Sequence, residues 1–212
     1  MRRSQFGLLI AVAAAGLLLA PGCQIMQPIG SLTVVSINGG NTLRSDLSDF
    51  YVYFDRVDSE YIRLFQITPD SVQVEMQYAE IGAGLPTWRP GVAIVTQASV
   101  KFTSKNISGN DIQYEVAKIG LRQAVPSDQT GKKTTTFFMS PISSSWKQKV
   151  FGGEGAGVIN EDDEYYNDIV DLADATITFT GYDSVANRLL SAQGTYLVEF
   201  GNFYDDPSRF GK

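Results

Sequence analysis

Few side chains in this sequence could do chemistry, and the missing types are as informative as those present. Cys23 is the single thiol, and histidine is absent. Without an imidazole the usual general base is gone, and with it the Ser-His-Asp and Cys-His nucleophile pairs, the common zinc ligands and the usual haem axial ligand. Carboxylates remain. The run Asn160-Glu161-Asp162-Asp163-Glu164, followed by Asp168, Asp171 and Asp174, offers oxygen ligands to calcium, which takes roughly six to eight and accepts irregular geometry. Asp162, Asp163 and Glu164 are its candidate ligands, and no other cofactor is expected. No glycine stands where an EF-hand turn needs one, so a solvated acidic loop is the competing reading. Asp183, Asn187, Asp205 and Asp206 form a weaker oxygen-rich set. A glycosidase also needs only two acids at a fixed separation, but no spacing here singles out a pair. The expectation is a chain without catalytic activity.

Recognition chemistry has one better candidate. Trp88 and Arg89 lie on a loop bounded by Gly82, Gly84, Pro86 and Pro90, where an aromatic beside a cation could contact a glycan or a protein; packing over the end of the fold is the plainer reading. Tyr51, Tyr53, Tyr165, Tyr166 and Tyr204 could add surface aromatics, although tyrosines are ordinary on half-buried strands. Gly152-Gly153-Glu154-Gly155-Ala156-Gly157 has the look of a phosphate cradle, but no Lys-Ser or Lys-Thr follows and no βαβ unit surrounds it. It reads as a flexible loop.

Cys23 closes a different kind of segment. Met1-Arg2-Arg3-Ser4-Gln5 is a positive lead, and Phe6 to Ala20 is 15 uncharged, mostly apolar residues, the length of a signal peptide and short for a membrane span. Leu19-Ala20-Pro21-Gly22-Cys23 resembles the cleavage box of bacterial lipoproteins, with Ala20 and Pro21 where that family usually has Leu and then Ala or Ser. The resemblance implies that the Cys23 sulfur receives a diacylglycerol, that the peptide before it is removed, and that the new amino terminus is acylated. Gln24, in the position where Asp favours inner-membrane retention in enterobacterial lipoproteins, implies the outer membrane. Several acyl chains give a stable anchor, since each buried methylene contributes about 0.8 kcal/mol and one chain alone is marginal. The competing reading is a secreted protein cut near Ala20 with a free thiol.

Composition bounds the rest. The chain has 212 residues, so cleavage before Cys23 leaves 190, enough for one domain with its own core. Apolar residues make up 43% and charged residues 19%, which suits a globular protein. Loss of Arg2 and Arg3 takes the net charge from −6 to −8. An acidic chain of this kind is not expected to bind nucleic acid, or anionic lipid through a basic face. With Cys23 committed to the anchor, packing and backbone pairing must hold the fold without a disulfide.

The elements that position these groups read as strands. Ser31–Ile37 is β-branched and ends at Asn38-Gly39-Gly40-Asn41; Asp49–Asp55 alternates; Tyr61–Ile67 fits strand or short helix. Ser71–Glu80 puts Val72, Val74, Met76 and Tyr78 on one face and Gln73, Glu75 and Gln77 on the other. Val92–Ser104 follows, then a connection over Lys105–Asn110 and an expected returning strand through Ile112, Tyr114 and Val116. Thr134–Met139 should stop at Pro141. Ser143–Asp171 reads as irregular, with a helical turn near Tyr165–Leu172. Ala175, Ile177 and Phe179 define one late strand and Tyr196, Val198 and Phe200 another, with Gly181–Gly194 between them.

Seven to nine short strands separated by turn residues predict an all-β fold, an antiparallel β-sandwich of immunoglobulin-like type with a β-barrel as the alternative. The stretch Asp174 to Asp206, with Ile-Thr-Phe-Thr-Gly-Tyr-Asp and Tyr-Leu-Val-Glu-Phe-Gly-Asn-Phe-Tyr-Asp-Asp, resembles the closing hairpin of uncharacterised bacterial lipoproteins built on such sandwiches. The expected division is a signal peptide over 1–22, a tether over 23–30 carrying Cys23, a single sandwich over 31–206 and a tail over 207–212. The function expected is that of a non-catalytic envelope lipoprotein, held to the membrane by its lipid and docking on an envelope protein. A calcium- or glycan-binding surface module is the alternative, and a carboxylate-dependent glycosidase a third.

Overall fold

Alternation along the longest strands decides which faces meet. The computed structural model describes residues 30–47, 49–55, 57, 60–80, 91–107, 112, 114–128, 130, 132–151 and 168–203. In chain order these form β1 (Gly30–Ile37), β2 (Leu43–Asp46), β3 (Asp49–Asp55), β4 (Glu60–Gln66), β5 (Asp70–Glu80), β6 (Val92–Ser104), β7 (Ala117–Pro126), β8 (Thr134–Ile142), α1 (Ser144–Phe151), β9 (Asp168–Asp183) and β10 (Leu189–Asn202). One sheet has the order β1-β5-β8, a second β2-β10-β9-β6-β7, and β3-β4 is a separate hairpin. The first two pack together as an all-β sandwich.

The core lies between their inner faces. Val72, Val74, Met76 and Tyr78 of β5, with Phe137 and Met139 of β8, meet Val100 and Phe102 of β6, Ala175, Ile177 and Phe179 of β9, and Val198 and Phe200 of β10. Phe137 touches Phe179 edge-on at 6.2 Å across the gap. Burying a large apolar side chain of this kind contributes about 1.5–3 kcal/mol. On β6 the inward positions change phase, from Ala93 and Val95 to Ala98, Val100 and Phe102. A bulge between Val95 and Gln97 causes this, since it inserts one β6 residue against β9, while against β7 the extra residue lies on β7. Gly194 lets β1 cross close over β10: a Cβ there would lie 2.7 Å from both Val34 Cγ1 and Ile37 Cδ1. No described helix is long and apolar enough to cross a membrane.

Several expectations change. The described residues form ten strands where seven to nine short ones were expected, and the last two are long, with β9 running 16 residues and β10 running 14. The pairing is antiparallel except at β2, which runs parallel to β10 over Val198–Gly201. This follows from the turn after β1: Asn38, Gly39 and Gly40 all have positive φ, and they pass the chain from one sheet to the other. The returning partner of β6 is β7, not the stretch through Ile112, Tyr114 and Val116. β7 shows weak alternation because only Val125 is fully buried, whereas Tyr114 leaves the ladder to join an aromatic cluster. Tyr61–Ile67 resolves as a strand, β4.

Pro141 does not stop β8. It lies near the end of an edge strand, where its missing N–H costs no ladder bond. The irregular region expected over 143–171 instead holds α1 and the start of β9. Ser143 caps the helix, its Oγ accepting the Trp146 amide at 3.1 Å. The long connection expected over 181–194 shortens to residues 184–188, because β9 runs on to Asp183 and β10 begins at Leu189.

Candidate functional site

The strand directions give the sandwich two distinct ends. At one end β1 begins, β5, β7 and β9 finish, and β6, β8 and β10 start. Gly30 opens β1 opposite Glu80. A Cβ on Gly30 would collide with the Tyr78 ring and hydroxyl, so a glycine is what lets β1 start against that side chain.

Tyr78 leads from Gly30 to the β9–β10 turn. Its hydroxyl donates a short hydrogen bond to Asp183 Oδ2. The other Asp183 oxygen accepts the Val185 and Ala186 amides at 2.7 and 3.0 Å, closing the turn that Asn187 completes with a positive φ. Burial opposes ionisation of Asp183, but the Tyr78 hydroxyl, those two amides and nearby Arg188 outweigh it and hold the carboxyl below its ordinary range. Burial, the Asp183 bond and the charges of Asp183 and Glu80 push the Tyr78 phenol up. Glu80 Oε2 accepts the Gly91 amide at 3.0 Å and the Ser127 hydroxyl at 2.7 Å. This network therefore joins the first strand to the ends of β5, β7 and β9. Its chemistry is structural: it fixes a turn and the entry of the chain.

The turn itself is apolar outside. Leu189 and Tyr182 form a cross-strand pair, 92% and 38% exposed, and Val185 at its tip is 59% exposed.

The opposite end is closed by α1. Phe102, Tyr114, Trp146, Phe151 and Phe200 form an aromatic cluster, with Tyr114 and Trp146 stacked at 5.9 Å and Phe102 and Trp146 at 4.8 Å. Tyr114 donates to Asp171 Oδ2 at 2.7 Å, and Trp146 Nε1 donates to the Glu115 carbonyl at 3.1 Å. Burial, that bond and the Asp171 charge push the Tyr114 phenol up. Beneath the helix Lys147 is fully buried, its Nζ 2.9 Å from Asp70 Oδ2 and also donating to the Asp46 carbonyl. Ser45 Oγ donates to the same Asp70 oxygen at 2.6 Å. A serine, a lysine and an aspartate together resemble catalytic types, but with Ser45 and Lys147 at 0% exposure they lock α1 to β2 and β5. A cleft of about 380 Å3 beside α1 is lined by Lys118, Ile119, Ser145, Trp146 and Lys149 among others. Lys149 is paired with Glu115 at 2.7 Å.

Cys23, Trp88, Arg89, Asp162, Asp163 and Glu164 all fall outside the described residues, as do Tyr165, Tyr166 and Tyr204. Of the wider acidic set, Asp171 is buried against Tyr114 and Asp174 pairs with Lys105 at 2.8 Å. Asp183, from the weaker set, is the cap of the β9–β10 turn rather than a surface ligand. Among the described residues no group of three or more acids or thiols is placed to hold a metal. The Tyr78–Asp183 pair escaped sequence reasoning because its members are 105 residues apart. The one signal was Tyr78 itself, a polar tip at the end of an otherwise apolar inward face. No known family model matches the chain, and no curated protein resembles it significantly.

Proposed function

We propose that this protein is a lipid-anchored envelope protein of the outer membrane, acting without catalysis as a structural or interaction subunit of a cell-envelope or cell-surface assembly. The observation that carries this reading is the seven-residue step from Cys23, in its lipoprotein-like box, to Gly30 at the start of β1. At about 3.3–3.6 Å per residue that tether spans at most roughly 25 Å, so an acylated Cys23 holds the domain against the bilayer. The buried polar groups described above support the second half of the reading, because each is engaged in joining strands, a turn or the helix to the fold. Copurification from native membranes tests it. The lipidated protein should bring down a stoichiometric envelope partner, and recovery as a lone monomer under mild extraction would count against an assembly role.

A further inference from the structure

The β9–β10 turn stands next to the point where the anchor enters. Gly30 abuts Tyr78, Tyr78 is bonded to Asp183, and Asp183 caps the turn at Val185 and Ala186. The tether residues Gln24-Ile25-Met26-Gln27-Pro28-Ile29 carry no charge. Tyr182, Val185 and Leu189 project from this turn into solvent, an arrangement that an acidic soluble surface does not explain.

The exposed charge at this end is mainly cationic, although the half-buried Asp128 accepts the Lys132 amide at 3.1 Å on the same connection. Arg188 is exposed beside Leu189, and Lys132 and Lys133 are exposed on the β7–β8 connection, which lies at the same end. The turn's acid, Asp183, is 2% exposed. The helix end also exposes Ile107, Val116 and Ile169, but these lie away from the entry of the chain, and Glu115 and Asp174 near them are paired with Lys149 and Lys105. Apolar tips combined with cations beside a lipid tether suit a bilayer surface carrying anionic headgroups, and Tyr is a preferred residue at such an interface.

We infer that the β9–β10 turn is a second membrane contact, with Tyr182, Val185 and Leu189 seated at the headgroup–acyl boundary and Arg188, Lys132 and Lys133 facing anionic headgroups. This rests on the lipid anchor proposed above. It gives the sandwich a fixed orientation, with the turn toward the bilayer and α1 away from it, which attachment at one point alone would not fix.

The test uses the mature lipidated protein in phosphatidylcholine vesicles, with and without phosphatidylglycerol. Acylation of Cys23 leaves Val185→Cys or Lys149→Cys as the single thiol for a polarity-sensitive fluorophore. Both positions are exposed, so the core is untouched. Nitroxide-bearing lipid should quench the label at 185 several-fold more than the label at 149, and aqueous iodide should do the reverse. Leu189→Asp combined with Tyr182→Asp should erase the difference, and phosphatidylglycerol should enlarge it. Equal iodide access at both positions, with the lipid on Cys23 verified by mass, would overturn the turn contact and leave the anchor standing. An unacylated Cys23 would overturn both.

Discussion

The two ends of the sandwich solve the same problem, how to close a core where strands stop, with opposite means. The helix end is sealed by packing: Trp146 and Phe151 of α1 meet Phe102, Tyr114 and Phe200, and the helix's own Lys147 is fully buried. The entry end is sealed by hydrogen bonds, with Tyr78, Asp183, Glu80 and Ser127 tying four strand termini together while the turn outside stays apolar and exposed. An end closed by packing is finished on its own. The entry end differs in what its turn presents to solvent, the exposed pair Tyr182 and Leu189 with Val185 at the tip.

The largest expected effect lies at the helix end. Lys147→Met removes the charge partner of Asp70 beneath the helix and should cost about 3–5 kcal/mol in chemical denaturation. Adding Asp70→Leu should recover much of that loss, since replacing both members of a buried pair with apolar groups is close to neutral. Failure of the double variant to recover would mean that the two residues do not act as a pair.

At the entry end the expected losses are smaller and depend on pH. Tyr78→Phe takes a donor from a buried carboxylate and should cost about 1–3 kcal/mol. Asp183 has a folded value below its ordinary one, so its contribution is complete above about pH 4 and is lost as pH falls through the folded value. Melting temperature should therefore drop in acid, and Asp183→Asn should start lower and flatten that acid limb. An unchanged limb would show that Asp183 is not the group responsible.

The smallest effect tests whether hydrogen bonding, and not tyrosine burial as such, matters at Tyr78. The Tyr196 hydroxyl is also buried but has no hydrogen-bond partner, and burial with the nearby Asp70 charge pushes its phenol up. Tyr196→Phe removes only a desolvated oxygen, so it should be neutral or stabilise by up to about 1 kcal/mol. A cost equal to that of Tyr78→Phe would contradict the contrast.

Strands whose inner face is uniformly apolar were legible in the sequence. Val72, Val74 and Met76, and likewise Ala175, Ile177 and Phe179, alternate without interruption and are all fully buried. Legibility failed where a tertiary contact overrode the local pattern. Tyr114 keeps a strand-like period with Ile112 and Val116, yet its ring is drawn to Trp146 and its hydroxyl to Asp171. α1 has Trp146 and Val150, and Lys147 and Phe151, at helical spacing, but the lysine breaks the apolar stripe and hides it. The entry-end network joins residues far apart in sequence, and short-range periodicity carries no information about such pairs.

What would join these observations is the acylation proposed at Cys23, which would make the entry end of the sandwich the membrane end. Mass spectrometry of the mature N-terminus tests it most directly. The account predicts a first residue Cys23 bearing a diacylglycerol on sulfur and an acyl chain on its amine. A chain cut near Ala20, or a Cys23 with a free thiol, would contradict it.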